Sequence, residues 1–157
     1  MATYNSLYNS VLEQVKTVLD AMSELNLAGI PAHIRKRPTF EGLQDRVPQL
    51  IVASNKSMTE RVEGETFEKG AILGFEVYVG IVQDARWDDE TRQLRMYWRE
   101  QIRLALWDTR ALAGGDVGRV ANVEYDPNPG VSRSTQEDLL DESWQRFTYW
   151  ISTPRAN

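Results

Sequence analysis

The sequence predicts an α+β domain: a largely antiparallel sheet of about five to six strands with two main helices packed on one face, in the order helix, strands, helix, two strands. Three observations lead there. Tyr4–Leu25 spaces its apolar residues as a helix does, and Ala71–Gln83 alternates with the period of two that a pleated strand imposes. After a run of carboxylates the chain turns helical again, and two further alternating segments follow. At 157 residues the length fits a single domain, residues 1–157, able to bury a core without disulfides or metals.

In the first helix, Leu7, Val11, Val15, Val18, Met22 and Leu25 form a stripe that Leu12 and Leu19 widen, opposite Glu13, Lys16, Asp20 and Glu24. Asn5 or Ser6 caps its start. Gly29 with Pro31 stops it, because glycine accepts the left-handed closing conformation and proline cannot continue the ladder. His33–Arg37, ended by Pro38, and Gln49–Ser54, entered through Pro48, read as strands with Phe40–Val47 as a loop between them. Ser57–Glu63 alternates weakly, and Gly64 lies where a turn reverses the chain into the strand from Thr66 to Gln83. Arg61, Glu63, Glu65, Glu68 and Lys69 make both sides of that tip polar, so a hairpin near residues 57–72 is expected to project from the core.

Within the long strand, Phe75, Val77, Val79 and Ile81 point one way and Glu76, Tyr78, Gly80 and Val82 the other, which predicts a central position. Asp88, Asp89 and Glu90 place carboxylates at the positive end of a helix dipole, so the second helix is expected to start near Asp88 and run to about Leu112. Gly114-Gly115 breaks the chain there. Arg119–Asp126 is a strand with Val120 on one side and Ala121, Val123 and Tyr125 on the other, ended by Pro127 and Pro129. Asn128–Glu142 holds no sustained period, so a flexible surface loop is expected near residues 127–143. Trp144–Ser152 then puts Gln145, Phe147, Tyr149 and Ile151 on one face and Trp144, Arg146, Thr148 and Trp150 on the other. Aromatic residues on both faces predict cover on both.

Composition narrows the function classes. The net charge of −5 argues against a dedicated DNA binder, and the absence of cysteine removes thiolate catalysis, zinc fingers and disulfide frameworks. Met1–Val11 lacks the basic start and apolar core of a signal peptide, and no apolar run approaches the ~20 residues that span a bilayer, so a soluble protein is expected. His33 is the only histidine, which rules out a His–His ligand pair or a Ser–His–Asp triad built with a second histidine. Asp84, Asp88, Asp89 and Glu90 lack the glycine-centred spacing of a calcium loop and read as helix caps. Gly114, Gly115 and Gly118 follow a helix, the reverse of the geometry that aims backbone N–H groups at phosphate. No catalytic residue, metal ligand or cofactor is assigned.

The second helix is the informative constellation, because at about 100° per residue its side chains sort into three faces. Leu94, Trp98, Ile102, Ala105 and Leu112 make a core stripe. Arg92, Arg95, Arg99, Arg103 and Arg110 form a basic ridge beside it, and Met96, Leu104 and Trp107 a second apolar patch beyond. Two readings of the patch stay open. Either the first helix covers it while the arginines pair with nearby carboxylates, or ridge and patch meet another subunit, since Met, Arg and aromatic residues concentrate at interface cores.

With the run Val77–Gln83 and Trp98-Arg99-Glu100-Gln101-Ile102-Arg103 set in this order of elements, the chain resembles the tail-terminator, or tail-completion, proteins of long-tailed bacteriophages. The resemblance spans most of the chain, through the first amphipathic helix, the strands at Leu50-Ile51-Val52 and Phe75–Val82, the Arg- and Leu-rich helix and the closing aromatic strand. Neighbouring neck proteins, such as head-completion or adaptor proteins, share this size and composition. The resemblance implies a virion protein of the tail or neck, assembled in the host cytoplasm. It also implies a ring, commonly a hexamer, that caps the tail tube protein and offers a docking surface to the head-side connector, with DNA passing through the lumen and no catalytic residue. The rival from another class is a small-molecule or peptide-binding domain using a pocket between sheet and helices.

Overall fold

Helix α1 (Leu7–Asp20) is followed by β1 (His33–Arg35), β2 (Gln49–Ala53), β3 (Glu60–Thr66), β4 (Gly70–Asp84), α2 (Asp89–Leu106), β5 (Arg119–Asp126) and β6 (Leu140–Thr153). The computed structural model describes residues 6–22, 32–35, 49–54, 60–66, 70–84, 89–115, 117–130 and 140–153, and statements of structure concern these. The fold is α+β, as the sequence predicts. One sheet runs β1-β2-β4-β6-β5 with β3 also on β4, and every pair is antiparallel except β1 with β2.

The long pair β4 and β6 is the spine, in register from Ala71 opposite Thr153 to Asp84 opposite Leu140. The alternation in both strands sets the two faces. On one, Phe75, Val77, Val79 and Ile81 of β4 join Phe147, Tyr149 and Ile151 of β6, and both helices pack there through Val11, Val15 and Leu19 of α1 and Trp98, Ile102 and Leu106 of α2. Each such side chain contributes about 1.5–3 kcal/mol on burial, so the helices are held mainly by this layer. The opposite face carries a second cluster of Ile51, Ala53, Tyr78, Val82 and Trp144. There Trp144 lies flat over Gly80 and Trp150 over Gly74, their cross-strand partners. A Cβ at Gly80 would sit 2.5 Å from the Trp144 ring, and one at Gly74 would sit 2.9 Å from Trp150. Beside them, burial works against the charge of Arg146, but the hydrogen bond it donates to the Tyr78 side chain and the charges of Glu76 and Asp126 outweigh it and raise its pKa.

The edge of β4 away from β6 is shared. β3 pairs with it from Gly70 to Phe75 and β2 from Tyr78 to Val82, which leaves Glu76 and Val77 between the two ladders. Tyr8 of α1 closes the gap: its hydroxyl donates to the Glu76 carbonyl and its ring meets Phe75 edge-on at 5.4 Å. A backbone carbonyl of β4 thereby accepts from a helix side chain.

Several boundaries differ from the sequence reading. Helix α1 is capped by Ser6, whose hydroxyl accepts from Asn9 N–H, but it ends at Asp20, not near Leu25. The Asp20 carboxylate accepts from Ala32 N–H at 2.8 Å, tying the helix end to the entry of β1; Gly29, Pro31 and the Phe40–Val47 loop lie outside the described residues. Gly64 is not the hairpin turn. It falls inside β3, where the register shifts between Glu63 and Thr66, and Thr66 pairs with Gly70; residues 67–69 lie outside the described set. The stem of this hairpin is continuous with the main sheet, because the same stretch of β4 is paired on its other side with β6.

Helix α2 stops at Leu106 instead of running to about Leu112. The Asp108 carboxylate accepts from Arg110 N–H at 2.8 Å, a local bond that competes with helix continuation, and short turns follow through Ala111, Ala113 and Gly115. That same backbone bond, with the Arg110 charge, lowers the pKa of Asp108. In β5 the register shifts between Val120 and Asn122, so Ala121 is the bulged residue. Val120 therefore packs against the same core as Val123 and Tyr125, where simple alternation places it on the other side. Finally, β6 starts at Leu140, because Leu140–Glu142 pair with β4; the expected loop is thus shorter at that end, and its residues 131–139 lie outside the described set.

Candidate functional site

Helix α2 buries Trp98, Ile102 and Leu106, spaced four apart, and this phase decides what the rest of the helix presents. Leu94, expected in the core stripe, is 40 % exposed, and Ala105 is only half-buried; Leu106 fills the core instead, while Leu112 is buried as expected but from beyond the helix end. Met96 (60 % exposed), Tyr97 (44 %) and Leu104 (63 %) lie on the outer side, and Trp107 (52 %) follows just past the helix end. Helix α1 leaves this patch uncovered. Large apolar side chains grouped this way on one element mark an interaction surface more often than scattered ones do.

Trp107 is exposed yet fixed. Its indole N–H donates to the Val123 carbonyl of β5, the edge strand, at 3.0 Å, and its ring stacks on Tyr125 with centroids 5.1 Å apart. Tyr125 in turn meets Phe147 at 5.2 Å, and Phe147 meets Tyr149 at 6.4 Å, a ladder of rings leading from the surface into the core. At its buried end the Tyr149 hydroxyl donates to the Leu106 carbonyl at 2.8 Å, satisfying an acceptor at the C-terminus of α2. Burial raises the Tyr149 pKa well above the ordinary tyrosine range.

The arginines divide by task. Arg99 is an internal brace: it donates to Ser143 Oγ at 2.7 Å, to the Trp144 carbonyl at 3.0 Å and to the Pro127 carbonyl at 2.6 Å, fastening α2 to the place where β5 leaves β6. Its own carbonyl accepts from Gln145 Nε2, which also donates to the Tyr125 hydroxyl. Desolvation lowers the Arg99 pKa, Tyr125 works the other way, and the like charge of Arg95 lowers it further. Arg95 and Arg103 are half-buried and Arg92 is exposed; Arg110 has left the helix and sits 3.6 Å from Asp108 in solvent.

Beside the brace lies a cleft of about 340 Å³. Arg95, Met96 and Arg99 form one wall, Asn128 and Pro129 a second, and Glu142 with its two successors the third. The Glu142 Oε1 atom is buried without a hydrogen-bond partner. Among the described residues the side chains between sheet and helices form the core, and the cleft lies at the sheet margin.

Of the residues that the sequence singles out, Arg95, Met96 and Arg99 come together at the cleft, Met96 and Leu104 lie on the outer side of α2, and Trp107 stands apart against β5. Leu94 and Tyr97 were missed as surface residues, and Glu142 as a cleft residue. The four-residue spacing of Trp98, Ile102 and Leu106 places Tyr97 outside, whereas Leu94 continues that spacing and is left at the margin only by the way the helix sits on the sheet; nothing local in the sequence places Glu142. Among the described residues no group of three or more His, Cys, Asp or Glu side chains is set to hold a metal ion, and no helix is long and apolar enough to cross a membrane. Comparison with protein-family models and with curated proteins gives no match.

Proposed function

We propose that the chain is a structural virion protein of a long-tailed phage, a ring-forming subunit, commonly one of six, that ends the tail tube and offers the surface on which the head docks. The observation that carries this reading is the exposed apolar side of α2, Met96, Tyr97 and Leu104 with Leu94 and Trp107 at its margins, next to an edge strand. The order of elements that the resemblance rests on is also present in the fold.

Charge supports a head-to-tail contact. Residues 89–112 carry five arginines against four carboxylates, a net +1, so the remainder of a chain totalling −5 carries −6. A two-fold contact of α2 with itself would set arginine against arginine, whereas a head-to-tail contact sets it against an acidic surface. Head-to-tail contacts close into rings when the rotation permits. A lumen lined by the acidic remainder would let DNA slide without being held.

Sedimentation at several concentrations, followed by electron microscopy for rings, tests the reading. Concentration-dependent closed assemblies are expected, formed alone or on the tube. A chain that stays monomeric and also fails to bind tail tube protein would sink the proposal.

A further inference from the structure

The two helices lie over opposite ends of the sheet. Helix α1 packs over β1 and β2, whereas α2 packs over β6 and reaches β5 through Trp107. Each helix has one flank turned toward the other and one turned outward. On α1, Gln14 marks the inner flank, since a Cβ added at Gly115, in the turns after α2, would sit 2.7 Å from it. Asp20 marks the outer flank, because its carboxylate accepts from Ala32 N–H at the entry of β1. Glu13 lies about two turns before Asp20 on that exposed side, and Lys16 between them is bound to Asp20. On α2, Arg99 donates to the Pro127 carbonyl just past β5, and Trp107 to the Val123 carbonyl within it. Arg103, one turn from each, therefore stands on the outer flank above β5.

The two outer flanks are complementary. Arg103 is half-buried and Glu13 exposed, and neither has an ion pair among the described residues. Met96 and Trp107 stand exposed to either side of Arg103, whereas the α1 flank carries Glu13 and Asp20 against Lys16 and, among the described residues, no large exposed apolar side chain. We propose that the outer flank of α2 docks on the outer flank of α1 of a second copy, with Arg103 paired to Glu13 of that copy and with Met96 and Trp107 closing over the aliphatic stems of Lys16 and Thr17. Such a contact rests on the ring-forming reading above and names both sides of the joint. It is head-to-tail: each copy gives α2 to one neighbour and α1 to the other. A two-fold contact through α2 would instead set Arg103 near its own symmetry mate and leave Glu13 without a role.

A mixing experiment tests the direction of the contact. Sedimentation at low salt compares the parent with Arg103→Glu, with Glu13→Arg, and with an equimolar mixture of the two variants. Each variant alone sets like charges across every joint and should weaken self-association by about tenfold, with thermal melts near the parent. In the mixture the copies can alternate so that opposite charges meet at each joint, and assembly should return to the parental level. The chain contains no cysteine. Glu13→Cys and Arg103→Cys copies, mixed and treated with a short bis-maleimide, should therefore cross-link to each other while neither cross-links to itself. Cross-linking among Arg103→Cys copies alone, a mixture no better than its components, or single variants that assemble as the parent does would overturn this docking and leave the ring reading standing. A parent that forms no assembly, alone or on tail tube protein, would remove the ring reading and this contact with it.

Discussion

Tyr149 and the two tryptophans of the α2 region show how differently aromatic residues serve in one neighbourhood. The buried Tyr149 hydroxyl keeps its proton far into alkali, because the phenolate would be stranded among apolar side chains against the Leu106 carbonyl. Above about pH 10 the unfolded chain releases that proton and the folded chain retains it, so stability falls as pH rises, by about 1.4 kcal/mol per unit from this group. Denaturant melts across pH 9 to 12 should show that decline, and Tyr149→Phe should flatten it while costing about 1–2 kcal/mol at neutral pH for the unpaired carbonyl. Trp98 is buried, and Trp98→Ala should cost about 3–5 kcal/mol. Trp107→Ala should leave a folded subunit, losing about 1–2 kcal/mol with the Val123 bond and the Tyr125 stack. If Trp107 also anchors the ring, assembly weakens by a further ~2 kcal/mol or more, separable by comparing thermal melts with sedimentation. The distinction between the two tryptophans was legible from their opposite helical positions, but the seat of Trp107 on β5 was not, since strand and helix end meet only in the fold.

At the scale of elements, the face of β4 and β6 away from α1 and α2 packs two tryptophan rings against two glycines. Gly80→Ala removes a flexible residue from a strand, a change that alone favours folding, yet the new Cβ would meet the Trp144 ring at 2.5 Å. The second effect should win. Denaturant melts are expected to show a loss of about 1–3 kcal/mol, largely recovered in the double variant Gly80→Ala, Trp144→Leu; an unchanged midpoint for the single variant would contradict this packing. Side chains also complete what strands leave open: the Tyr8 hydroxyl between β2 and β3, and Arg99 where β5 departs from β6. Neither role has a local signature, because the acceptors are backbone carbonyls far away in sequence.

For the whole molecule, the separation of charge between α2 and the remainder predicts how subunits meet. If head-to-tail contacts bring the arginines of α2 against acidic surface, self-association weakens as salt is raised, through screening of partly exposed pairs. Arg103→Glu should weaken it at low salt without lowering the melting temperature of the subunit by more than a degree or two, since Arg103 is half-buried on the helix surface. Sedimentation of parent and variant at low and high salt checks both. Assembly indifferent to salt and to this charge reversal would exclude the arginine ridge from the contact.

The sequence by itself determined the α+β class, the alternation of β4 and β6 and the helix–strand order, because periods of two and near 3.6 are written in nearest neighbours along the chain. It also separated Met96, Leu104 and Trp107 from the core stripe of α2. The tertiary structure decided what depends on partners distant in sequence. Helix α2 ends at Leu106 through a local Asp108 bond, but Leu106 rather than Leu94 faces inward because the sheet fixes the helix phase. Strand β6 reaches back to Leu140 only because β4 is long enough to pair with it, and Val120 joins the core only because a bulge resets its register against β6. The cleft, too, draws its lining from α2, from Asn128 and Pro129 and from Glu142 to Trp144, stretches that meet only in the fold.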